Sequence, residues 1–389
     1  MTRTTGKYET REVGGEKVSS FIPYPLPPDN PPVSVEGALS TALSQAIQNL
    51  GKLEIAAEMV PSLEWFIYAF VRKEAVISSQ IEGTQASLVD LLEFEANPSL
   101  ASPEQDVQEV CNYLKAVSFA RKELQSRKGL PLSIRLLNEA HRRLLSGVRG
   151  GDKQPGEIRW SQNWIGGTRP GNAVFVPAPP QEVPELLSSF EKYLHKSNQL
   201  HPLVRIGLVH VQFETIHPYL DGNGRIGRLL ITLLLEHWGL LSSPLLYLSV
   251  YFKRHRAEYY RLLNEVRVNG DWEAWLAYFL EGVASVATEA LDSARKLHAL
   301  VGKDRTRLLA AKESSVFALR LFETLPQHPI VTIPLVVRLL HTTKPTAAKA
   351  VSVLENLRVL RETTGRRRDR SYSYGSYLNL LKIGTEAIP

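Results

Sequence analysis

The chain has 389 residues, 43% of them hydrophobic, and a net charge of +6. No apolar run approaches the roughly 20 residues of a membrane span, the start Met1-Thr2-Arg3-Thr4-Thr5-Gly6 is polar, and Cys111 is the only cysteine. A transmembrane protein, a disulfide scaffold and a cysteine-based zinc site are therefore excluded, and a cytoplasmic location is expected.

The charge is uneven. Residues 1–300 carry 31 basic against 33 acidic side chains, and residues 301–389 carry 15 against 7. The excess of positive charge predicts a separate C-terminal module with a polyanionic or acidic partner.

Residues 1–33 are rich in Pro, Gly and charge, with Pro23-Tyr24-Pro25-Leu26-Pro27-Pro28 at their end, and read as an extended arm over the body or a partly disordered one. Helical periodicity begins near Ser34 and runs through Leu63–Ser78, then over 104–124 and 132–145. Between 155 and 177, two short β-branched runs flank a Gly/Pro/Asn turn, which predicts a hairpin. Helices follow at 180–196, 202–216, from about 223 to 238, at 254–268 and at 272–299. The last segment changes grammar. Helices at 312–325, 332–340 and 345–357 precede a strand at 359–363, the basic turn Gly365-Arg366-Arg367-Arg368-Asp369-Arg370 and a strand at 371–374, the pattern of a winged helix-turn-helix.

The most informative run is His217-Pro218-Tyr219-Leu220-Asp221-Gly222-Asn223-Gly224-Arg225-Ile226-Gly227-Arg228. Pro218 pushes His217 out of the helical region and onto a loop. Gly222 and Gly224 are able to take positive φ and turn backbone N–H groups inward on an oxyanion. Ile226, Leu229, Leu230 and Leu233 then mark a helix whose positive end points at the same place. Arg225 and Arg228, three residues apart, share one side of its first turn and are able to fork onto phosphate oxygens. Upstream on the preceding helix, Glu214 reads as a helix-surface carboxylate and His210 as a packed or capped histidine.

This run resembles the signature of the Fic family, HPFx(D/E)GNGRxxR, with Tyr219 where phenylalanine is commoner. The resemblance implies an enzyme that moves AMP from ATP to a Ser, Thr or Tyr hydroxyl of a protein, itself included. His217 would be the general base. Asp221 would hold Mg²⁺ between the α- and β-phosphates. Asn223 and the amides of the Gly222–Gly224 turn would stabilise charge on the α-phosphate, and Arg225 and Arg228 would hold the β- and γ-phosphates. A family variant that transfers a phosphoryl group has lysine where this chain has Gly224, so AMP transfer is favoured.

Three further features extend the likeness. Ser78-Ser79-Gln80-Ile81-Glu82-Gly83 is similar to the family's inhibitory motif (S/T)xxxE(G/N), with Ser78 first and Glu82 as the carboxylate that competes with the γ-phosphate for Arg228. The 155–177 hairpin resembles the family's flap, an edge that pairs with an extended target segment. Tyr260 matches a position where relatives contact adenine.

The expectation is thus a mostly α protein: a Fic-type helical bundle with a β-hairpin flap, plus a C-terminal winged helix-turn-helix. Its expected parts are an N-terminal arm and helical region carrying the inhibitory motif at 1–105, a catalytic core at 106–300 and the winged helix at 301–389. Removal of AMP, transfer of another nucleotide, and a DNA-binding regulator with an ATP-sensing core stay open. So do a DNA or protein partner for the winged helix and a homodimer.

Overall fold

The structure is a computed structural model that describes residues 3–13, 15–59, 63–97 and 104–386. Its first element corrects the expected extended arm. Strands β1 (Gly6–Val13) and β2 (Glu16–Pro23) pair antiparallel in register from Gly6 opposite Pro23 to Val13 opposite Glu16. Alternation on β2 buries Val18, Ser20 and Ile22, and Phe21 is also buried, with its ring 5.0 Å from that of Tyr8. The cue was Gly14-Gly15 between two alternating runs.

Helices follow as α1 (Gly37–Met59), α2 (Leu63–Ile81), α3 (Leu88–Ala96), α4 (Gln105–Gln125), α5 (Ile134–Leu144), α6 (Val183–His195), α7 (Pro202–Ile216), α8 (Asn223–His237), α9 (Ser249–Arg254), α10 (Arg256–Asn269) and α11 (Trp272–Ala310). The C-terminal part runs α12 (Val316–Thr324), β3 (Ile330–Thr332), α13 (Ile333–Leu340), α14 (Lys344–Asn356), β4 (Arg361–Glu362), β5 (Ser371–Ser373) and α15 (Gly375–Leu381). The protein is mostly helical, as its periodicity predicts. Side-chain caps set several starts: Ser133 Oγ accepts from Leu136 N, Ser315 Oγ from Ala318 N and Thr332 Oγ1 from Leu335 N.

The chain forms two compact units, Met1–Gly51 with Asn112–Ala287, and Lys52–Cys111 with Thr288–Pro389. In the first, α7 packs against α6, α8, α10 and β2. Every residue of α7 from Leu203 to Ile216 is buried, as a helix enclosed on all sides requires. Its polar side chains are accordingly engaged. Arg205 donates to the carbonyls of Tyr193 and Lys196, and Gln212 donates to the carbonyl of Tyr24.

In the second unit α12, α13 and α14 pack together beside a three-stranded antiparallel sheet in the order β3-β5-β4. The turn between β4 and β5 presents Arg366, Arg367, Arg368 and Arg370 to solvent, and Lys344 and Lys349 are exposed on α14. The α2 segment belongs to this unit. Gln80 Nε2 donates to the carbonyls of Ala86 and Thr385, both at 3.0 Å. Among the described residues, no helix is long and apolar enough to cross a membrane.

Candidate active site

Helix α7 stops at His217, whose φ of 50° and ψ of 62° are left-handed and whose N–H still reaches the carbonyl of Phe213. Pro218, without an N–H, cannot continue the helix. His217 therefore stands on a loop, as its neighbour in sequence predicts. Its Nδ1 lies 3.3 Å from the carbonyl oxygen of Glu214. A carbonyl only accepts, so Nδ1 is the donor in this contact; in the neutral ring Nε2 then carries the lone pair, which is the tautomer a base needs.

Glu214 departs from expectation. It is 6% exposed, not a surface residue, and the atom that orients His217 is its backbone oxygen. Its carboxylate packs where a Cβ on Gly227 would stand, 2.3 Å from that position, so glycine is what lets α8 approach α7 here. His210 is the packed histidine foreseen. Its Nδ1 donates to the Gly227 carbonyl at 3.2 Å, its Nε2 accepts from the Tyr259 hydroxyl at 2.8 Å, and burial pushes its pKa down to about 3.

The carbonyls at the end of α7 are held by buried guanidinium groups. Arg159 donates from Nε to His217 O at 2.8 Å and from its terminal nitrogens to Ala178 O at 2.6 Å and Ile216 O at 3.4 Å. Its own backbone N–H bonds Pro218 O at 2.9 Å. Burial lowers its pKa to about 10. Arg267, also pushed down to about 10 by burial, reaches Thr215 Oγ1 and Glu214 O.

The turn from Tyr219 to Gly224 joins α7 to α8. Asn223 closes it: Oδ1 accepts from Tyr219 N at 2.9 Å and Nδ2 donates to Tyr219 O at 2.8 Å. Both ends of that amide are thus engaged in shaping the turn, which leaves the backbone amides at the start of α8 as donors for an anion. Gly222 takes the predicted positive φ, 77°, as the residue before α8. Gly224 does not. It lies in the first turn of α8 and is absent from the positive-φ glycines, so one left-handed residue is enough to aim the amides.

Asp221 is partly exposed, its Oδ1 accepting from Gly222 N and lying 3.7 Å from the guanidinium of Arg225. Arg225 and Arg228 are each only 2% exposed, so neither is a solvated surface arginine. No group of three or more His, Cys, Asp or Glu side chains suits a metal among the described residues. The Asp221 carboxylate beside the start of α8 is nevertheless a donor that would suit Mg²⁺, a cation usually held by one or two carboxylates together with substrate phosphates.

His141, on α5, is a site residue that the sequence did not reveal. Its ring stacks on Tyr219 at 3.9 Å and 8°, Nδ1 accepts from Gly156 N at 2.8 Å, and Nε2 lies 2.9 Å from Asp221 O. It is fully buried, and that burial takes its pKa down to about 4.

Residues 131–235 match the Fic/DOC family model, and residues 40–122 match the Fic/DOC family N-terminal model. The chain carries a Fic domain preceded by a Fic N-terminal domain. It is 34% identical over 137 residues to Protein adenylyltransferase Fic of Drosophila grimshawi and 33% identical over the same length to that of Drosophila melanogaster. Those segments are 35% of this chain and 25% of each relative, so the match spans about a quarter of the relatives' length. Among solved structures, a Fic family protein from Desulfovibrio desulfuricans G20 aligns with TM-score 0.57 and 20% identity over 88% of this chain and 97% of its own. A Fic-1 segment from C. elegans aligns with TM-score 0.51 and 22% identity over 66% and 74%. At these identities the structural likeness concerns the fold.

The segment expected as the Fic flap is less regular than a hairpin. Residues 155–159 form no strand, and pairing is confined to one antiparallel bridge, Ile165 with Phe175. Left-handed Gly166 and Gly167 and the turn at Pro170–Asn172 curl the loop, and Pro177, Pro179 and Pro180 lack the donors a ladder needs. The second run instead lies along β2, with Phe21 N donating to Val176 O. Trp160, directly after the arginine that holds His217, is 74% exposed, and Val174 further along the segment is 77% exposed.

Tyr260 is exposed on α10, beside buried Tyr259. Ser78 is buried in α2, and Glu82 follows the end of that helix, its N–H bonded to Ser79 O. Both belong to the second unit.

Proposed function

We propose that this Fic protein transfers AMP from ATP to a Ser, Thr or Tyr hydroxyl of a protein target, and that Glu82 holds the reaction back. The observation that carries the reading is the contact of His217 Nδ1 with Glu214 O at the end of α7, four residues before the carboxylate and amide turn that open α8. The triphosphate takes its place at the positive end of α8, where the amides after Gly222 and the guanidinium groups of Arg225 and Arg228 supply positive charge. Asp221 holds Mg²⁺, which neutralises phosphate charge when bound. His217 Nε2 takes the proton of the target hydroxyl. That oxygen forms the bond to the α-phosphorus, the bond from the α-phosphorus to the bridging oxygen breaks, and pyrophosphate leaves.

The flap presents the target. Exposed Trp160 and Val174 suit contact with a polypeptide, and the exposed Tyr260 ring would contact the adenine. Glu82 stands at a helix C-terminus, where carbonyl dipoles disfavour a carboxylate and a guanidinium partner relieves it. In this reading Glu82 competes with the γ-phosphate for the Arg228 guanidinium, with Ser78 as the first residue of the inhibitory motif.

Parallel incubations with ATP labelled at the α- or at the γ-phosphate test the chemistry. Protein-bound label from the α position alone supports AMP transfer, and label from the γ position would make the chain a phosphoryl transferase instead.

The exposed arginines between β4 and β5 and Lys344 and Lys349 on α14 support a second role for the C-terminal module, as a winged helix that binds DNA. Mobility shift across a salt series tests it, since phosphate contacts make affinity fall steeply with salt. No shift at low salt removes the idea.

A further inference from the structure

His141 lies 76 residues before the base and takes no part in the chemistry above, yet it touches the signature turn in three ways. Its ring covers Tyr219, its Nε2 meets the Asp221 carbonyl, and a Cβ added to Gly222 would stand 3.3 Å from that same nitrogen. One turn earlier on the same face of α5, Asn138 Oδ1 accepts from the Tyr219 hydroxyl at 2.8 Å. Helix α5 therefore grips the turn at both Tyr219 and Asp221.

The hydrogen bonds also settle the ring's protonation. Gly156 N is a donor and points at Nδ1, so Nδ1 carries a lone pair. Nε2 then carries the hydrogen and donates to Asp221 O. A neutral ring satisfies both partners at once, whereas the other tautomer would set donor against donor and lone pair against lone pair. The backbone oxygen of Asp221 is thus fixed from α5, while its carboxylate leans on Gly222 N. Asp221 O and Gly222 N belong to the one peptide unit that follows Asp221, so rotating that unit would break both bonds.

We propose that His141 is a positioning residue that fixes the Asp221 backbone and so aims the Asp221 carboxylate at Mg²⁺ bound with ATP. This rests on the assignment of Asp221 as metal holder. Partners of a metal-binding group typically change metal affinity by about 10- to 100-fold when removed.

Glutamine and asparagine separate the two bonds. Gln places its amide near Nε2 and keeps the donor to Asp221 O; Asn places its amide near Nδ1 and keeps the acceptor for Gly156 N. Each loses the stack on Tyr219, so comparable melting temperatures are expected. The readout is calorimetric affinity for α,β-methylene-ATP, which is not turned over, with and without Mg²⁺. Wild type and His141→Gln should both gain affinity from Mg²⁺, His141→Asn should lose about 10-fold of that gain, and Asp221→Ala should lose it entirely.

Equal behaviour of the Asn and Gln variants, with the gain intact in wild type, would overturn the proposal alone. A wild type that gains nothing from Mg²⁺ would overturn the assignment of Asp221 and the proposal with it. Imidazole ¹⁵N NMR of the unaltered chain gives a check that needs no variant. A neutral Nε2–H ring at His141 is expected, and an Nδ1–H ring would overturn the proposal.

Discussion

The Arg159 guanidinium donates to the carbonyl oxygen of His217 at 2.8 Å, tying the flap segment to the end of α7. The group is 2% exposed, and it donates to backbone carbonyls, including those of Ala178 and Ile216. Lysine keeps the charge but has no planar fork, so it cannot reach all of them together. Arg159→Lys is expected to destabilise the fold by about 2 kcal/mol and to lower the rate of AMP transfer. Denaturant titration and labelling from ATP measure the two effects, and an unchanged rate would show that the flap does not set the position of His217.

Gly222 tests the turn itself. At φ 77° any L side chain is strained by roughly 1–2 kcal/mol, and a Cβ would stand 3.3 Å from His141 Nε2. Gly222→Ala is therefore expected to weaken nucleotide binding as well as the fold. Calorimetry with an ATP analogue reads the first effect and thermal melting the second.

Gly227 gives a prediction whose sign is contested. Glycine to alanine within a helix ordinarily stabilises by about 1 kcal/mol. Here the added Cβ would lie 2.3 Å from Glu214 Oε1 and 3.3 Å from the Phe213 ring. Overpacking of that kind costs about 1–3 kcal/mol, so Gly227→Ala is expected to destabilise on balance. A raised melting temperature would contradict the close approach of α7 and α8.

Two buried histidines predict acid sensitivity. Burial lowers His141 to about 4 and His210 to about 3, against 6.5 for a free imidazole. Below pH 6.5 and above the folded values, the unfolded chain binds protons that the native chain does not, so stability rises with pH through this window and is lost on acidification. Each contributes about 2 kcal/mol between pH 7 and pH 5. Unfolding free energies at the two pH values should differ by about 2 kcal/mol less in His210→Gln than in wild type.

Much of the first unit's site was legible because its chemistry is contiguous. Pro218 placed His217 on a loop, and the spacing of Ile226, Leu229, Leu230 and Leu233 marked α8. His141 was not legible, because a lone histidine on a helix acquires its role only when α5 meets the turn. The β1–β2 hairpin lies in a segment whose prolines and charge read as an extended arm, although alternating runs flank Gly14-Gly15. Helix α3 carried a readable cue in Ser87 and Asp90, which form a reciprocal cap. The flap failed as a hairpin for the opposite reason: its alternation looked regular, but glycines and prolines denied it a ladder.

The most direct test of AMP transfer under restraint by Glu82 is intact-mass measurement after incubation with ATP and Mg²⁺. Glu82→Gly should gain the mass of AMP, wild type should gain less, and Glu82→Gly with His217→Ala should gain none. An adduct that persists without His217, or equal modification of wild type and Glu82→Gly, would contradict the assignment of base or of inhibitor respectively.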